Sequence, residues 1–531
     1  MSDLELSTNL IQRINIGDSL TRSAWRMPNR IALVDGDRRL TYRQFNRWVN
    51  RFAHALCSRG FSHGDSIALV LGNSAEFLVT YYACAKIGAV CVPVNLGWQA
   101  YEIAYVIAHS GARAVVTEVN LLDDVAAALK DPNSHTDTVT DVIVTGITDP
   151  PEVSGRRVHA FEVFGAGSNE DEPETVVLDR DPLSYLYTSG TTSSPKGVVG
   201  SHAAIYLESM TMALEAQFRH TDRFVAMMPM FHTAQLNTHC TAAVMVGAEI
   251  HIHRKFDART LLATIERESI TQIFGLPMMY REMLEHADIG IRDLNSLRRA
   301  LYAMAPMPQP LLERCIDVFG CDFYLLFGQT EMSPTTTLFR PEHQLTHNGA
   351  AGSQVVGVQT AIMDTDGVLL PNGSEGEIVY RSPHTMTSYL DNPEATATAF
   401  EHGWFHSGDI GRFDDDGLLW FTDRRKDVIK SGGENVSSIE VEKAVYAADD
   451  NVAEVTVVGL PHSRWSEAIT AVVVPTAGGQ IDAADLISRI KRLIDPYKAP
   501  KSVIVVDSLP RTSTGKIQKN VVRERFAEHY E

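Results

Sequence analysis

The sequence of 531 residues is poor in cysteine, in positive charge and in long hydrophobic runs. Its six cysteines include no CxxC pair, which argues against a zinc site or a disulfide framework and indicates a reduced, intracellular protein. The formal net charge of −19 excludes a nucleic-acid binder that relies on a broad basic surface. The most apolar stretch, 81–94, is too short to span a bilayer and contains Lys86. The N-terminus lacks the basic and apolar regions of a signal peptide, so we expect a cytoplasmic protein.

What the sequence does contain is an alternation of strand and helix patterns. Thr41 and Gln44 fit a capping box, and apolar residues follow at helical spacing as far as residue 56. Apolar runs at 67–71 and 89–94 predict buried strands on either side of a helix over 75–87, which is the order of a parallel βαβ unit. Further strands are predicted over 114–116, 141–144, 225–228, 273–274, 299–303 and 322–326.

The pattern changes from about residue 376 to short alternating strands at 376–381, 411–413 and 418–421. After a charged segment at 423–427, strands predicted over 455–459, 469–474 and 502–506 indicate a separate small module. We therefore predict an α/β fold. A large N-terminal domain (1–423) contains βαβ-type subdomains and a small β-rich subdomain, residues 424–427 join the domains, and residues 428–531 form an α+β C-terminal domain.

The most informative segment, 185–197, begins with a short apolar strand and continues with Ser and Thr hydroxyls, two glycines and Lys196. Hydroxyls, exposed backbone N–H groups and an ammonium can together hold polyphosphate oxygens. The segment is not a Walker A loop, because Lys196 precedes the second glycine, Gly197. On composition alone, a flexible Ser/Thr surface loop is an equally good interpretation.

This segment resembles the phosphate-binding signature of the acyl-adenylate-forming superfamily, which contains acyl-CoA synthetases, peptide-synthetase adenylation domains and beetle luciferases. Further segments in the expected order extend the resemblance over nearly the whole chain. The resemblance implies ATP, Mg²⁺ and CoA as cofactors and cosubstrates, and a mobile C-terminal domain. It assigns the following residues of the segment to ATP binding: Thr188, Ser189, Gly190, Thr191, Thr192 and Lys196.

The segment 327–331 resembles the aromatic-Gly-x-Thr-Glu motif of the superfamily. The resemblance implies that Phe327 stacks on adenine, that Thr330 contacts the α-phosphate and that Glu331 holds Mg²⁺, an ion that prefers carboxylate and phosphate oxygens. In the adenine-flanking segment 303–307, Ala303 and Met304 replace the usual glycines and so alter the adenine or acyl pocket. The other nucleotide contacts implied are Ala305, Gly328, Gln329, Asp409, Arg424, Lys430 and Lys516.

Three of these residues have more specific implied roles. Asp409 would bind both ribose hydroxyls, because one carboxylate can accept two O–H hydrogen bonds, and Arg424 would also contact the ribose. Lys516, in the loop 510–516, would bridge the acid carboxylate and the α-phosphate as negative charge gathers. The resemblance implies that Lys516, Glu331 and Thr188 act in catalysis and that Lys426 is the hinge pivot. Viewed singly, each basic loop fits a solvated turn or linker better.

Contacts to the acid and to CoA are also implied. Gly432 and Gly433 would let a pantetheine arm pass close to the backbone. Lys255 and Trp465 are further candidates for CoA contact, although an exposed lysine or a surface tryptophan is the ordinary interpretation. The predicted acyl pocket contains His232, Ala234, Leu236, Met304 and Gly328.

The resemblance implies an acid–CoA ligase that acts through acyl-AMP, and the apolar character of the pocket candidates predicts a fatty, aromatic or polycyclic acid as its substrate. The segments 231–280 and 424–442 also resemble carnitine- or crotonobetaine-CoA ligases, so a small polar acid is an alternative. No carrier-like domain follows Lys516, so a carrier-protein acceptor would be a separate chain. A luciferase-like oxygenase has no supporting feature, and the complete set of nucleotide residues argues against an inactive nucleotide sensor. An oligomer is compatible with the sequence.

Overall fold

The structure is a computed structural model that describes residues 3–149, 151–188, 195–305, 307–512 and 515–530. The predicted ATP-binding residues Ser189, Gly190, Thr191 and Thr192 lie outside the described residues. Elements are numbered along the chain. The α-helices are α1 (Asp3–Gln12), α2 (Ile16–Arg26), α3 (Tyr42–Ser58), α4 (Ala75–Ile87), α5 (Ala100–His109), α6 (Leu122–Ala128), α7 (Phe161–Phe164), α8 (His202–Glu215), α9 (Thr241–Val246), α10 (Ala258–Glu268), α11 (Pro277–Glu285), α12 (Gln309–Phe319), α13 (Pro393–Ala399), α14 (Ser438–Ala448), α15 (Ala483–Ile490) and α16 (Lys519–Arg525).

The first sheet has a parallel centre and an antiparallel edge. Its strands lie in the order β20 (Ser388–Tyr389), β9 (Lys196–Ser201), β8 (Pro182–Thr188), β4 (Val90–Pro93), β3 (Ser66–Val70), β5 (Ala114–Glu118), β6 (Asp141–Thr145) and β7 (Arg157–Ala160). Strands β3 and β4 pair in parallel on either side of α4 in the sequence. This pairing confirms the predicted βαβ unit.

The second sheet repeats this arrangement with more strands. Its order is β16 (Ser353–Gln354), β15 (Thr335–Phe339), β14 (Asp322–Gly328), β13 (Arg299–Ala303), β12 (Gln272–Gly275), β10 (Arg223–Ala226), β11 (Glu249–Ile252), β1 (Ile31–Asp35) and β2 (Arg38–Thr41). The parallel run from β14 to β1 confirms the strands predicted between residues 225 and 326. The carboxyl ends of β13 and β14 therefore meet at one edge of the sheet.

The third sheet is antiparallel, as the alternating pattern after residue 376 predicts. Its order is β18 (Leu369–Leu370), β17 (Gln359–Met363), β19 (Gly376–Arg381), β21 (Phe405–Phe413) and β22 (Leu419–Arg424). Strand β21 begins six residues before the predicted strand at 411–413, because it includes the segment 405–410. This extension brings the predicted ribose-binding carboxylate into the sheet.

The residues after 428 form a fourth sheet with its own core. Strands β24 (Glu434–Val436), β23 (Ile429–Ser431), β26 (Ser466–Pro475) and β25 (Val452–His462) lie side by side, and β27 (Ser502–Val505) pairs in parallel with β26. The strands predicted near 455, 469 and 502 are present. Buried aliphatic residues of these strands pack with those of α14 and α15 in a cluster separate from the main core.

Short turns of tighter or wider helix complete the described elements. The 3₁₀ turns are Val119–Leu121, Ala287–Gly290, Thr330–Met332, Pro341–His343 and Glu401–Gly403. A π-helical turn, Ala234–Cys240, runs directly into α9. None of the helices in the described part of the chain combines the length and apolar character needed to cross a bilayer.

The main core lies where the first and second sheets face the same helices. Helix α3 begins at the predicted capping box, in which the Thr41 side chain accepts a hydrogen bond from the backbone of Gln44. Helix α4 is buried at every position, including Lys86, so it is a central element. Buried side chains from both sheets belong to the same cluster as α3 and α4.

Candidate active site

Lys516 extends from a tight loop of the small domain. The loop is closed by hydrogen bonds from the Thr512 N–H to the Lys516 carbonyl (2.8 Å) and from the Gly515 N–H to the Thr512 carbonyl (2.9 Å). Gly515 has a φ of +87°, and a Cβ there would collide with the side chain of Leu276. Gly515 therefore lies directly against Leu276 of the large domain, and any side chain at position 515 would require Leu276 to move or to be smaller.

The surroundings of Lys516 contain charges of both signs. The side chain remains accessible to solvent through the cleft, but enclosure by protein lowers its pKa to about 8. The positive charge of Arg424 lowers the pKa further, whereas Asp409 and Glu331 raise it. To the described residues, the ammonium makes no hydrogen bond and no ion pair within 4.0 Å. Lys516 is therefore protonated at neutral pH, with donors available to a ligand.

Asp409 and Arg424 face each other across β21 and β22 of the third sheet. They are paired in register, and Arg424 Nε lies 3.5 Å from Asp409 Oδ1. Asp409 is 6% exposed. Burial raises the pKa of Asp409 to about 6, although Arg424 and Lys516 oppose this shift. The structure thus brings the predicted ribose contacts and Lys516 into one electrostatic group.

Glu331 lies in the 3₁₀ turn that follows β14. The Tyr389 hydroxyl donates a hydrogen bond to Glu331 Oε1 (2.9 Å), and the Lys196 ammonium lies 4.9 Å from the centre of the Tyr389 ring. Among the described residues, no hydrogen bond engages Glu331 Oε2. A carboxylate with one oxygen so available, in a turn that contacts β9, suits the all-oxygen coordination of Mg²⁺.

Two adjacent strand ends form the predicted adenine side of the site. Phe327, near the end of β14, is half-buried and lies 5.3 Å from the ring of Phe421. A Cβ at Gly328 would collide with the Pro334 carbonyl oxygen, so the chain requires glycine there. Met304 follows β13 with a φ of +71°, a conformation that strains an L side chain. The replacement of the usual glycine by Met304 therefore leaves the backbone in a glycine-like conformation.

His232 approaches the same cleft from the large domain. Its Nδ1 accepts a hydrogen bond from the Ala234 N–H (3.2 Å), at the start of the π-helical turn. Such turns occur frequently at functional sites. Burial and the nearby Lys516 charge lower the pKa of His232 to about 3, so its ring is neutral. Leu236 has no accessible surface and packs in the main core, so its predicted pocket contact stays a prediction.

Comparison with known proteins identifies the family. The profile of the AMP-binding enzyme matches residues 20–390, and that of the AMP-binding enzyme C-terminal domain matches residues 440–516. The chain belongs to the AMP-binding enzyme family. This family assignment confirms the resemblance and the α/β fold, and the chain is an AMP-forming acid–thiol ligase. Enzymes of this kind use ATP, Mg²⁺ and CoA.

Relatives match the enzyme over nearly its full length. It is 34% identical to a feruloyl-CoA synthase from Amycolatopsis over 514 residues, which cover 96% of this chain and 99% of the relative. It is also 34% identical to the long-chain-fatty-acid–CoA ligase FadD13 of Mycobacterium tuberculosis over 518 residues, 97% and 99% of the two chains.

A solved structure allows the domain arrangement to be compared. The ATP-bound MatB protein of Rhodopseudomonas palustris is 27% identical and gives a TM-score of 0.88 over 98% of this chain and 100% of that one. Its form without nucleotide gives 0.78 over the same shares. Because the sequences compared are equally similar, the higher score indicates that this AMP-binding enzyme resembles the ATP-bound arrangement more closely.

The predicted CoA-binding residues of this AMP-binding enzyme lie apart from the cleft residues. The Gly432 N–H donates to the Trp465 carbonyl (2.9 Å), within the hairpin that also carries Gly433 and Lys430. Lys255 is exposed in the loop after β11. Where the chain is described, no hydrogen bond or ion pair joins these residues to Lys516 or the ribose-binding pair. The structure therefore brings Asp409, Arg424, Glu331, His232 and Lys516 together, whereas Lys430, also predicted to contact the nucleotide, lies in the hairpin of the predicted CoA residues.

The segment between the domains is a tight turn anchored on both sides. The Asp427 N–H donates to the Arg424 carbonyl (2.8 Å), and Lys426 is exposed in this turn. Just before it, the buried Asp423 carboxylate accepts hydrogen bonds from the Ser438 N–H and hydroxyl, both 2.7 Å. These bonds fix the start of α14 against the large domain in this arrangement.

Proposed function

We propose that the enzyme joins an apolar carboxylic acid to CoA in two half-reactions, with acyl-AMP as the intermediate. The observation that supports this most strongly is the meeting of Lys516, from the small domain, with Asp409, Glu331 and His232 of the large domain. Lys516 provides a cation, Asp409 and Glu331 provide carboxylates for the ribose and the metal, and His232 provides an uncharged side chain beside the acid. The first half-reaction requires all three.

In the first half-reaction, the acid carboxylate attacks the α-phosphate of ATP and pyrophosphate leaves. Both reactants are anions, so their approach is opposed by repulsion. The Lys516 ammonium, protonated at neutral pH because its pKa is about 8, offsets this charge as it gathers. Asp409 and Arg424 hold the ribose, which fixes the α-phosphate relative to Lys516.

The triphosphate would be held by residues on the other side of the cleft. Thr188, Thr330 and Lys196 offer two hydroxyls and an ammonium to the phosphate oxygens, and Phe327 offers its ring face to adenine. Glu331 would hold Mg²⁺, which when bound neutralises charge on the phosphates and the departing pyrophosphate. The Glu331 oxygen left without a partner in the described chain supports this role.

In the second half-reaction, the small domain would rotate about Lys426 and withdraw Lys516. The segment containing Gly432 and Gly433 would then enter the cleft and admit the pantetheine arm, with Lys255 and Trp465 as further contacts. The CoA thiolate attacks the acyl carbonyl of the mixed anhydride, and AMP departs with the anhydride oxygen. No protein nucleophile takes part. The separation of the two groups of residues in the present arrangement supports such a hinge motion.

The acid is proposed to be apolar. His232 is neutral, and Ala234, Gly328 and Met304 add no charge to the predicted acyl side of the cleft. The two relatives described act on a feruloyl group and on long-chain fatty acids. A small polar acid of the carnitine or crotonobetaine kind is the second candidate, because segments 231–280 and 424–442 resemble such ligases and because Met304 places a side chain where the superfamily motif has glycine.

One assay tests this proposal. Purified enzyme with Mg²⁺ and ATP is given a panel of fatty, aromatic, polycyclic and small polar acids, and exchange of labelled pyrophosphate into ATP is measured. CoA or a phosphopantetheine-loaded carrier protein is then added after a single turnover. We expect exchange with an apolar acid and acyl transfer to CoA. Acyl transfer only to the carrier would show that the acceptor is a carrier protein and not CoA. Absence of pyrophosphate exchange with every acid would reject the proposal.

A further inference from the structure

Tyr389 contacts two residues that are both predicted to bind Mg·ATP: Glu331, for the metal, and Lys196, for the phosphates. Its hydroxyl donates to Glu331 Oε1 at 2.9 Å, while its ring lies 4.9 Å from the Lys196 ammonium. We propose that Tyr389 is a positioning residue that fixes the Glu331 carboxylate for the metal and keeps Lys196 beside the phosphates. This inference rests on the proposed nucleotide site, and it adds a residue that the sequence analysis did not select.

The backbone around Tyr389 holds it rigidly to both partners. Tyr389 is paired with Val198 on β9, two residues after Lys196, and the Leu390 N–H donates to the Gly197 carbonyl at 2.8 Å. In the same segment, the Met386 N–H donates to the Glu331 carbonyl at 2.6 Å. The segment 386–390 therefore hydrogen-bonds to Glu331 at both its backbone and its side chain, and the same segment pairs with the first sheet.

The chemistry of the contact suits a metal ligand. A hydrogen bond to one oxygen fixes the rotation of a carboxylate and directs the other oxygen, and such partners of metal ligands typically contribute ~10–100-fold to metal affinity. A tyrosine hydroxyl ordinarily keeps its proton at neutral pH, so Tyr389 can donate the hydrogen bond seen to Glu331. The ring face offers the ammonium of Lys196 a second, independent contact.

The test uses Mn²⁺, which takes the same oxygen ligands as Mg²⁺, as a spectroscopic probe. Full-length wild-type and Tyr389→Phe proteins are titrated with Mn²⁺ in the presence of ATP, and free Mn²⁺ is measured by electron paramagnetic resonance. Binding of ATP in EDTA is measured by calorimetry. We expect Mn²⁺ binding to weaken by roughly 10–100-fold and ATP binding in EDTA to change less than about twofold.

Tyr280→Phe is the matched control, because the buried Tyr280 hydroxyl also donates one hydrogen bond, to the Leu301 carbonyl at 2.7 Å, away from Glu331. It should leave Mn²⁺ binding unchanged. In a Glu331→Gln background, Tyr389→Phe should cause no further loss, since its effect passes through that carboxylate. Independent losses from the two substitutions would overturn the inference.

Two other results would also overturn it: unchanged Mn²⁺ binding by Tyr389→Phe, or equal losses with and without the metal. If that variant does not fold, Tyr389→His is titrated in the same way. The histidine ring is shorter than tyrosine, so its N–H should not reach Glu331, and the same metal-selective loss is expected. Absence of pyrophosphate exchange in the wild-type protein would reject the proposed function but would leave this binding test intact.

Discussion

The pKa values of Lys86 and Lys516 are both lowered by the surrounding protein, but the exposure and the hydrogen bonding of the two side chains differ. Lys86, on the wholly buried α4, is 1% exposed and its ammonium donates to Asn46 (2.7 Å) and Asn50 (2.8 Å) and pairs with Glu172. The Lys516 ammonium lies among the charges of the cleft, and no described side chain accepts a hydrogen bond from it. Burial lowers the pKa of both lysines.

This difference separates a structural lysine from one that can act on a ligand. An ammonium has three donors, and those of Lys86 are taken by fixed neighbours, so it stabilises the packing of α3 and α4 against the segment that contains Glu172. Lys516 is held by the backbone of its loop rather than by its charge, and its donors remain available to a substrate. A lowered pKa alone therefore does not distinguish the two lysines, whereas unused donors in a charged cleft support the proposed role of Lys516.

Removing the charge of Lys516 gives the largest expected effect. Lys516→Ala should lower pyrophosphate exchange by about 10²–10³-fold or more, because a preorganised charge at the reacting centre is lost. Thioester formation from supplied acyl-AMP and CoA should be spared. Both half-reactions are measured on one preparation whose melting temperature matches the wild type. Equal losses in both would contradict the idea that Lys516 serves only the first.

Restricting the hinge should have the opposite selectivity. Lys426→Pro fixes φ in the turn between the domains and should slow thioester formation from supplied acyl-AMP by roughly tenfold or more. Pyrophosphate exchange should persist, since the present arrangement already brings Lys516 into the cleft. Stopped-flow or quench measurements of each half-reaction test this. A normal second half-reaction would count against Lys426 as the pivot.

The pH dependence of pyrophosphate exchange tests whether the Lys516 ammonium must be protonated for the first half-reaction. Its pKa of about 8 means that the ammonium is present below pH 8 and is lost as the pH rises through that value. The kcat/KM for ATP in pyrophosphate exchange should therefore fall about tenfold per pH unit above pH 8. Lys516→Arg, whose guanidinium stays charged, should remove this alkaline decline. The same decline in that variant would assign it to another group.

Lys86 should affect stability without affecting the chemistry. Lys86→Met leaves buried acceptors on Asn46 and Asn50 unpaired and should lower the free energy of unfolding by about 1–3 kcal/mol. Pyrophosphate exchange per folded molecule should remain at the wild-type rate. Denaturant titration and exchange assays at a temperature where the variant is folded test both parts. A selective loss of exchange would erase the distinction between the two lysines.

Much of the fold was predictable because its elements have strong local signals. The structure matches the prediction for the Thr41 capping box, for the bounds of α4 and for strands β13 and β19. Caps and apolar runs depend mainly on neighbouring residues, so the local sequence is enough to predict them. The helices α1 and α2 were not predicted. Burial of α2 depends on distant partners such as Val244, whose carbonyl accepts a hydrogen bond from the Ser23 hydroxyl at 2.7 Å.

The site was predictable only where residues belong to recognisable motifs. Asp409, Arg424 and Lys516 meet as the motifs imply, although more than one hundred positions separate the first from the last. Tyr389 belongs to none of the motifs singled out in the sequence and lies 58 residues from Glu331, so its contact with Glu331 is seen only in the structure, where β20 pairs with β9. The π-helical turn after His232 also has no local signature, because tertiary contacts decide it.

The most direct test of the account traps Lys516 in the cleft. An ideal Cβ at Gly515 would lie 3.8 Å from Leu276 Cγ, and replacing Leu276 as well removes the atom that would collide with it, so we expect cysteines at both positions to cross-link under oxidation. The side chain at position 515 costs about 1–2 kcal/mol of backbone strain. The oxidised double variant should catalyse pyrophosphate exchange yet form no thioester from acyl-AMP, and reduction should restore thioester formation. Equal rates of thioester formation before and after reduction would contradict the claim that one moving domain serves the two half-reactions in turn.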